Sequence, residues 1–344
     1  LSDGNGNWAF VVGPKGLADP TKLDTTSDGA GPYEIDPAHS VTGDHYTLSP
    51  NPYYYDKPAI RFSGVVLKEI NVPSTMLEAL KTGQIDVAEG DPTTAAQAKA
   101  SGLNVTSAPA RVTLVFFDAK HAPSSPIADL RVRQAINHAV DRNAIVRAAF
   151  GGQGSATSTM LLTDADTSSF QNYYSYSPQT ARALLAAAGY PHGFSLKLIA
   201  PTGPFQLVMQ VVASELNAIG IHTKLTVSSN YVPDVLSGKY PVFIADAGIT
   251  LTEIEYNLYL NPAGSAYFLG PADPIVSRLY EQGLQSRDPA VYWTKMWKRV
   301  VTDADFVPIN IEPQFYYSAT SIGGVLADAA RSAAIPTEWY PKAK

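Results

Sequence analysis

Apolar positions change their period along the chain. In the first third they come as short runs broken by turn residues. Trp8–Val12 closes on Gly13-Pro14, while Tyr46-Thr47-Leu48 and Arg61–Ile70 are β-rich, with Asn51-Pro52 and Lys57-Pro58 between them. Asn favours a turn by bonding its own backbone, and Pro by fixing φ. The pattern then turns to helix–strand alternation. A helix capped by Ser74 runs through Lys81 with Met76, Leu77 and Leu80 on one face, and Gly83 stops it. Ile85–Ala88 reads as a strand, Thr93–Ser101 as an Ala-rich helix ended by Gly102, and Val112–Phe117 as a strand buried on both faces.

A second block begins near Ala119. Asp129–Val140 carries Val132, Ala135, Ile136, Ala139 and Val140 at helical spacing, and Asp141 can cap a following helix, Asn143–Phe150. Ser155–Asn172 is polar and loop-like. Ser177 precedes a helix over Pro178–Ala188, with Pro at its first position and Gly189 at its end. Phe194–Ala200, Gln206–Ile219 and Ile221–Val227 form strand, helix and strand, which predicts parallel pairing in an α/β lobe. Val242–Ala245 is a short strand, Asp273–Gln285 and Ala290–Thr302 are helices, and Phe306–Ile311 is a late strand. No internal repeat is visible.

Composition narrows the function classes. The chain has 344 residues, is 45% hydrophobic and 16% charged, and so can fill real cores. A net charge of −6 with scattered basic residues argues against nucleic acid as a partner, which needs clustered Lys and Arg. No cysteine is present, which excludes disulfides, thiol nucleophiles and Cys-ligated metals and suits an oxidising compartment. No run of ~18 apolar residues would span a membrane.

Catalytic signatures are missing. There is no Gly-x-Ser-x-Gly elbow, no His-Glu-x-x-His and no phosphate loop. The six histidines lie far apart, and Asp164-Ala165-Asp166 and Asp303-Ala304-Asp305 lack the Gly and Glu of a calcium loop. Catalytic residues, cofactors and metal ligands are therefore expected to be absent, and a peptidase or hydrolase is the weaker reading.

Several segments, in order, resemble family 5 of the bacterial extracellular solute-binding proteins, the oligopeptide, dipeptide and nickel-binding group. Gly29-Ala30-Gly31-Pro32-Tyr33 is similar to the family's Gly-Thr-Gly-Pro-Tyr turn, followed by Asn51-Pro52-Tyr53-Tyr54 and by Ala79-Leu80, Gly83 and Ile85-Asp86. The fullest block is Leu130-Arg131-Val132-Arg133-Gln134-Ala135-Ile136 with Ala139-Val140-Asp141-Arg142 and Ile145-Val146. Tyr176-Ser177-Pro178, Ala188-Gly189-Tyr190, Gly193-Phe194 and Gly220-Ile221 continue it. Arg133 and Asp141 are expected to hold structure.

This resemblance implies an α/β, periplasmic-binding-protein-like fold (type II, cluster C) with two lobes joined by crossover strands. Lobe I would comprise residues 1–118 and 307–344, and lobe II residues 119–306. Only 28 residues precede the Gly-Pro-Tyr turn, so lobe I is expected to be incomplete, without the family's extra N-terminal domain. The implied function is the extracytoplasmic solute-binding subunit of an ABC importer, in the periplasm or as a cell-surface lipoprotein. It would act as a monomer, partnered by permease subunits, and capture a peptide or similar small solute in an interlobe cleft by hinge closure. A nickel chelate, an opine, a haem or an oligosaccharide is the alternative cargo. In relatives an Asp after the strand equivalent to Val242–Ala245 meets the ligand's amino group. Ungapped, that position falls near Thr250, with Asp246 or Glu253 as substitutes and Gly248 between them; a familiar Asn after the first crossover strand stands here as Asp118. The ligand-binding set is thus Asp246, Gly248, Thr250, Glu253 and Asp118, with Phe117, Tyr256 and Tyr316 as apolar or stacking walls.

Overall fold

The computed structural model describes residues 12–24, 26–70, 72–327 and 336–342, so the strand expected at Trp8–Val12 lies outside the described residues except for Val12. The chain divides into two units, residues 1–108 with 314–344, and residues 109–313.

The first unit opens with a short helix, α1 (Pro14–Ala18), and an antiparallel sheet of β1 (Tyr33–Ile35), β2 (His45–Pro50) and β3 (Val65–Lys68) in that order. Two turn segments singled out in the sequence prove to be one feature. The buried Asn51 side chain donates to the Gly31 carbonyl at 2.8 Å and accepts from the Tyr53 N–H at 2.9 Å, while its own N–H donates to the Pro32 carbonyl at 2.9 Å. Helix α2 (Pro73–Lys81) starts two residues earlier than the Ser74 cap predicts, because Pro73 takes the first helical position, where its fixed φ fits and its missing N–H costs nothing. Met76, Leu77 and Leu80 do form its buried face, packing with Ala95 and Ala98 of α3 (Ala95–Ala100). Strand β4 (Val87–Gly90) lies between them in sequence. Strand β5 (Asn104–Phe117) then runs from the first unit into the second, much longer than its apolar half suggests.

The second unit is a mixed sheet covered by helices. After β5 come α4 (Leu130–Ala139), α5 (Arg142–Ala149), the two-residue β6 (Ser155–Ala156), α6 (Pro178–Ala187), β7 (Phe194–Pro201), α7 (Pro204–Ala218) and β8 (Ile221–Ser228). Then follow α8 (Tyr231–Leu236), β9 (Val242–Gly248), α9 (Thr252–Glu255), α10 (Pro274–Leu284), α11 (Pro289–Thr302) and β10 (Phe306–Ser318). The strand order is β10-β5-β9-β7-β8, with β6 on β10. Strands β7 and β8 are parallel, as the strand–helix–strand pattern predicts, and β9 is antiparallel to β5. Gly193 and Gly220 set the start of the parallel pair. Gly193 has φ +73°, and a Cβ there would stand 1.7 Å from the Gly220 carbonyl oxygen, so no other residue fits.

One sheet face buries Val115, Phe117, Leu198, Ile244, Val307 and Ile309 against the apolar sides of α4 to α7. Each such side chain contributes about 1.5–3 kcal/mol on burial. The other face is aromatic: Phe116 stacks on Phe243 at 5.0 Å and meets Phe306 at 5.2 Å and Tyr259 at 5.3 Å.

The Asp129–Phe150 block is built for architecture. Asp129 and Asp141 cap α4 and α5 by accepting from the Arg131 N–H at 2.8 Å and the Ala144 N–H at 2.9 Å. Arg133 donates to the carbonyls of Asp303 at 2.8 Å, Ala304 at 3.2 Å and Ala128 at 3.1 Å. Arg142 is buried and donates to Pro308 O at 2.7 Å, Thr157 O at 3.0 Å, Asn137 O at 3.0 Å and Asn137 Oδ1 at 2.8 Å. Its charge is held by carbonyl dipoles, and burial pulls the guanidinium down to about 10.

Past Gln314 the end of β10 belongs to the first unit, where it pairs antiparallel with β4, Phe315 facing Gly90 and Ser318 facing Val87. Short strands β11 (Ile322–Gly323) and β12 (Tyr340–Pro341) close the chain. Among the described residues no helix is long and apolar enough to cross a membrane.

Candidate functional site

Strand β9 begins as core and ends as surface. Val242, Phe243 and Ile244 are buried, Asp246 is partly exposed, and Gly248 is exposed. Its neighbours part at the same point. Strand β7 pairs with β9 only at Leu198–Val242. Beyond that pair, the Tyr231 hydroxyl of α8 takes the place of a strand: it accepts from the Ile244 N–H at 3.0 Å and donates to the Ile244 carbonyl. One phenol thus satisfies a backbone pair that would otherwise be left unpaired. Burial pushes its ionisation well above the usual range, and the bond from the Ile244 N–H offsets only part of that rise.

On the other side β9 stays paired with β5. Asp246 stands opposite Thr113, and Gly248 opposite Arg111. Arg111 Nη1 lies 3.5 Å from Asp246 Oδ2, with both side chains partly exposed. A Cβ on Gly248 would meet nothing within 4 Å, so the space above it is open. The chain then turns into α9 under firm restraint. The Thr250 carbonyl accepts from the Thr163 N–H at 3.0 Å. The Asp164 carboxylate accepts from the Thr252 N–H at 2.9 Å and its hydroxyl at 2.8 Å, and the Trp297 indole donates to that hydroxyl at 3.2 Å. Of the two glutamates that follow, Glu253 is exposed and Glu255 is buried. Helix α9 then widens into a π-turn over Tyr256–Leu260, a form that collects at functional sites.

The expected site residues separate into four places. Asp246, Gly248, Thr250 and Glu253 lie along one stretch at the exposed end of β9. Phe117 and Asp118 sit at the far end of β5, where Phe117 faces Val242 across the ladder, four residues from Asp246 or about 13 Å along the strand. Phe117 is core there. Asp118 is only 1% exposed and already engaged, accepting from the His121 N–H at 3.0 Å and pairing with its ring at 2.9 Å. Tyr256 is buried and stacked on Tyr280 at 3.7 Å. Tyr316 belongs to the first unit, buried on β10 opposite Glu89. Arg111, Tyr231 and Glu255 escaped the sequence reading. Only Arg111 left a signal there, as a charge at the mouth of an apolar strand.

A cavity of about 480 Å³ opens at that far end of β5, lined by Phe117, Arg133, Leu260, Tyr267, Asp273 and Asp305 among others. Its carboxylates already have cations: Asp273 pairs closely with Arg299, Asp303 with Arg299 at 3.2 Å, and Asp305 with Arg133 at 3.7 Å. Burial pushes the Asp305 carboxyl up to about 7, since the Arg133 guanidinium is spent mainly on backbone carbonyls. Among the described residues no three His, Cys, Asp or Glu side chains are grouped as metal ligands would be.

Comparison with known proteins agrees with this architecture. Residues 6–267 match the model of the bacterial extracellular solute-binding proteins, family 5 Middle. Among curated proteins, the glutathione-binding protein GsiB of Salmonella choleraesuis is 27% identical over 201 residues, 58% of this chain and 39% of the relative. Its Escherichia coli K12 counterpart is 24% identical over 200 residues, again 58% and 39%. The matched stretch thus spans about two-fifths of those relatives' length. Among solved structures, the binding protein AgaA of A. tumefaciens R10 in complex with agropinic acid superposes with a TM-score of 0.79 at 22% identity, covering 95% of this chain and 71% of that one. The periplasmic binding protein DppA of Helicobacter pylori, in complex with the peptide STSA, gives 0.79 at 17% identity, covering 95% and 66%. The fold is that of the periplasmic binding proteins, and the chain belongs to family 5 of the bacterial extracellular solute-binding proteins.

Proposed function

We propose that this chain captures a peptide or a related small solute outside the cytoplasm and passes it to the permease subunits of an ABC importer. The observation that carries the reading is the pairing of Asp246 with Arg111 at the point where β9 loses its strand neighbour and becomes exposed. A peptide offers an ammonium, a carboxylate and unpaired backbone groups. Asp246 and Arg111 supply one charge of each sign, and the edge of β9 beyond Ile244 supplies backbone partners of the kind that strand-like ligands use. Capture needs no covalent step; the family's members bind solutes, and hydrolysis of peptides by the purified chain would count against the proposal.

Closure of the two units on the solute is part of this reading, with the ligand's differential affinity supplying the free energy for the closed state. Extracytoplasmic placement and action as a monomer belong to it as well. The matched relatives bind glutathione, and structural neighbours hold a peptide or agropinic acid. A small zwitterion or acidic conjugate is therefore the second cargo class, and Arg111 is the residue that favours it.

The test is native mass spectrometry of the purified chain with a pool of di-, tri- and tetrapeptides that includes glutathione, followed by calorimetry on whatever is retained. Micromolar binding of any member supports capture, and retention of none overturns it.

A further inference from the structure

The cavity of about 480 Å³ at the far end of β5 plays no part in the proposed capture. Its volume falls within the range of small-molecule pockets, about 300–1,000 Å³. Part of its wall is apolar: Phe117 of β5, Leu260 of the π-turn and Val276 of α10, all buried. Tyr267 adds a ring whose hydroxyl is already spent, donating to the Gly270 carbonyl at 2.8 Å. The remaining polar lining is charged and open to solvent, with side chains from 15% exposed at Arg133 to 26% at Asp273, so a small molecule can reach it. The chain turns there at Ala304, whose φ of +50° is the only positive value of a non-glycine residue among the described residues. Asp303 and Asp305, on either side of it, both line the cavity.

The charges there do not balance. Asp273 accepts from the Ile275 N–H at 2.8 Å and pairs closely with Arg299, which also holds Asp303 at 3.2 Å. Arg133 is committed to the backbone, donating to the carbonyls of Asp303 at 2.8 Å, Ala128 at 3.1 Å and Ala304 at 3.2 Å. Two guanidinium groups therefore stand against three carboxylates, and the one left short is Asp305. Its single ion pair is to Arg133 Nη2 at 3.7 Å, and among the described residues its carboxylate accepts no hydrogen bond. A carboxylate so poorly hydrated ordinarily gathers donors. An anion is a poor guest, because both guanidinium groups are taken. A metal ion is a poor guest too: among the described residues no three His, Cys, Asp or Glu side chains are grouped as its ligands, and the adjoining wall is apolar. A monocation on an apolar body meets both parts of the lining.

We propose that this cavity is a second binding site of the chain, taking a small organic ammonium whose charge pairs with Asp305 while its apolar body lies on Phe117, Leu260 and Val276. The inference stands apart from capture at β9, since Phe117 lies about 13 Å along the ladder from Asp246. The charged and titratable groups that face Asp305 are Arg133 on α4, Arg299 on α11, Asp303 just past it, Asp273 at the cap of α10, and Tyr267, on whose phenol the Asp305 and Asp273 charges act second to burial. Burial pushes the Asp305 carboxyl up to about 7. An arriving ammonium favours the ionised form. The Asp305 proton leaves to the buffer, so affinity rises as pH rises through 7.

The experiment is an NMR titration of the backbone amides of the whole chain with benzylamine, and with benzyl alcohol as an uncharged probe of the same shape, at pH 6 and pH 8. The expected results are saturable shifts at Tyr267, Gly270 and Asp305, benzylamine binding about tenfold weaker at pH 6 than at pH 8, and no saturable shift with benzyl alcohol. Asp305→Asn, its folding verified by the melting midpoint, should weaken benzylamine at pH 8 about tenfold and remove the pH dependence. Asp246→Asn should leave these shifts as in wild type, which keeps the outcome separate from capture at β9. Absence of saturable shifts at these amides, an equal response to benzyl alcohol, or equal binding by Asp305→Asn overturns the proposal. Shifts confined to β9 and the turn after it overturn it as well, because they put the amine in the capture site. If Asp305→Asn does not fold, the pH and benzyl alcohol comparisons on the wild-type chain decide the matter.

Discussion

Arg111 and Asp246 stand two residues out of register across β5 and β9, with Nη1 3.5 Å from Oδ2. The contact is long and single, and both side chains are partly exposed, so the pair itself stabilises the fold by no more than about 1 kcal/mol. Its weight falls on binding. Asp246→Asn is expected to lower affinity for the retained free-amine peptide at least tenfold, about 1.4 kcal/mol, with little change in melting midpoint. Arg111→Ala should fall mainly on ligands with a free carboxylate. Paired calorimetry and thermal melts check both, and a large loss of stability with unchanged affinity would reverse the assignment.

The Tyr231 hydroxyl replaces a missing strand at Ile244. Tyr231→Phe leaves one buried N–H and one carbonyl unpaired at a cost of about 1–3 kcal/mol. Urea unfolding should register that loss. Hydrogen exchange should quicken at Ile244 while Leu114 and Val115 on β5 stay protected, because the β5–β9 ladder is untouched.

Arg142 satisfies the carbonyls of Asn137, Thr157 and Pro308 together with the Asn137 amide oxygen. Truncation to Ala opens a cavity and strands these acceptors, and should cost about 3–5 kcal/mol. Arg142→Lys rescues only in part, since an ammonium cannot span the same fork of acceptors. The order of urea midpoints, wild type above Lys above Ala, is the outcome to measure.

Three carboxyls, the buried Glu255 and the partly buried Glu215 and Asp305, are pushed upward by loss of solvent: Glu255 to about 8, Glu215 to about 7 and Asp305 to about 7. For each, the folded state holds its proton more tightly than the unfolded chain does. Their contribution is therefore fully present below the ordinary carboxylate range and is lost as pH rises through about 7 to 8. The unliganded protein should be less stable at pH 8.5 than at pH 5.5. Glu255→Gln should recover part of that loss at pH 8.5 and change little at pH 5.5, as read from thermal midpoints.

Much of the fold was legible because local chemistry dictated it. Asp129, Asp141 and Ser177 cap the helices they precede, and the glycines at 193 and 220 sit where strands β7 and β8 begin side by side. Boundaries slipped where tertiary pairing extends a strand beyond its apolar run. Strand β5 begins at Asn104 and β9 ends at Gly248, because ladder bonds hold polar residues that no hydrophobic pattern marks. The candidate site was read only in part for a related reason. Phe117 and Asp118 look like neighbours of Asp246 in a family pattern, yet an extended strand separates them by its full rise per residue.

By itself, then, the sequence determined the class of fold, the order of helices and strands, and membership of a solute-binding family. The elements follow from side-chain periodicity and from caps and turns that act within a few residues, and the family and its fold from the resemblance that the ordered motifs carry. Tertiary structure decided which of two nearby glutamates is buried, that a tyrosine from α8 completes β9, and that Arg111 reaches Asp246. Burial, pairing and the ionisation they impose depend on residues distant in the chain, and no local pattern encodes that distance.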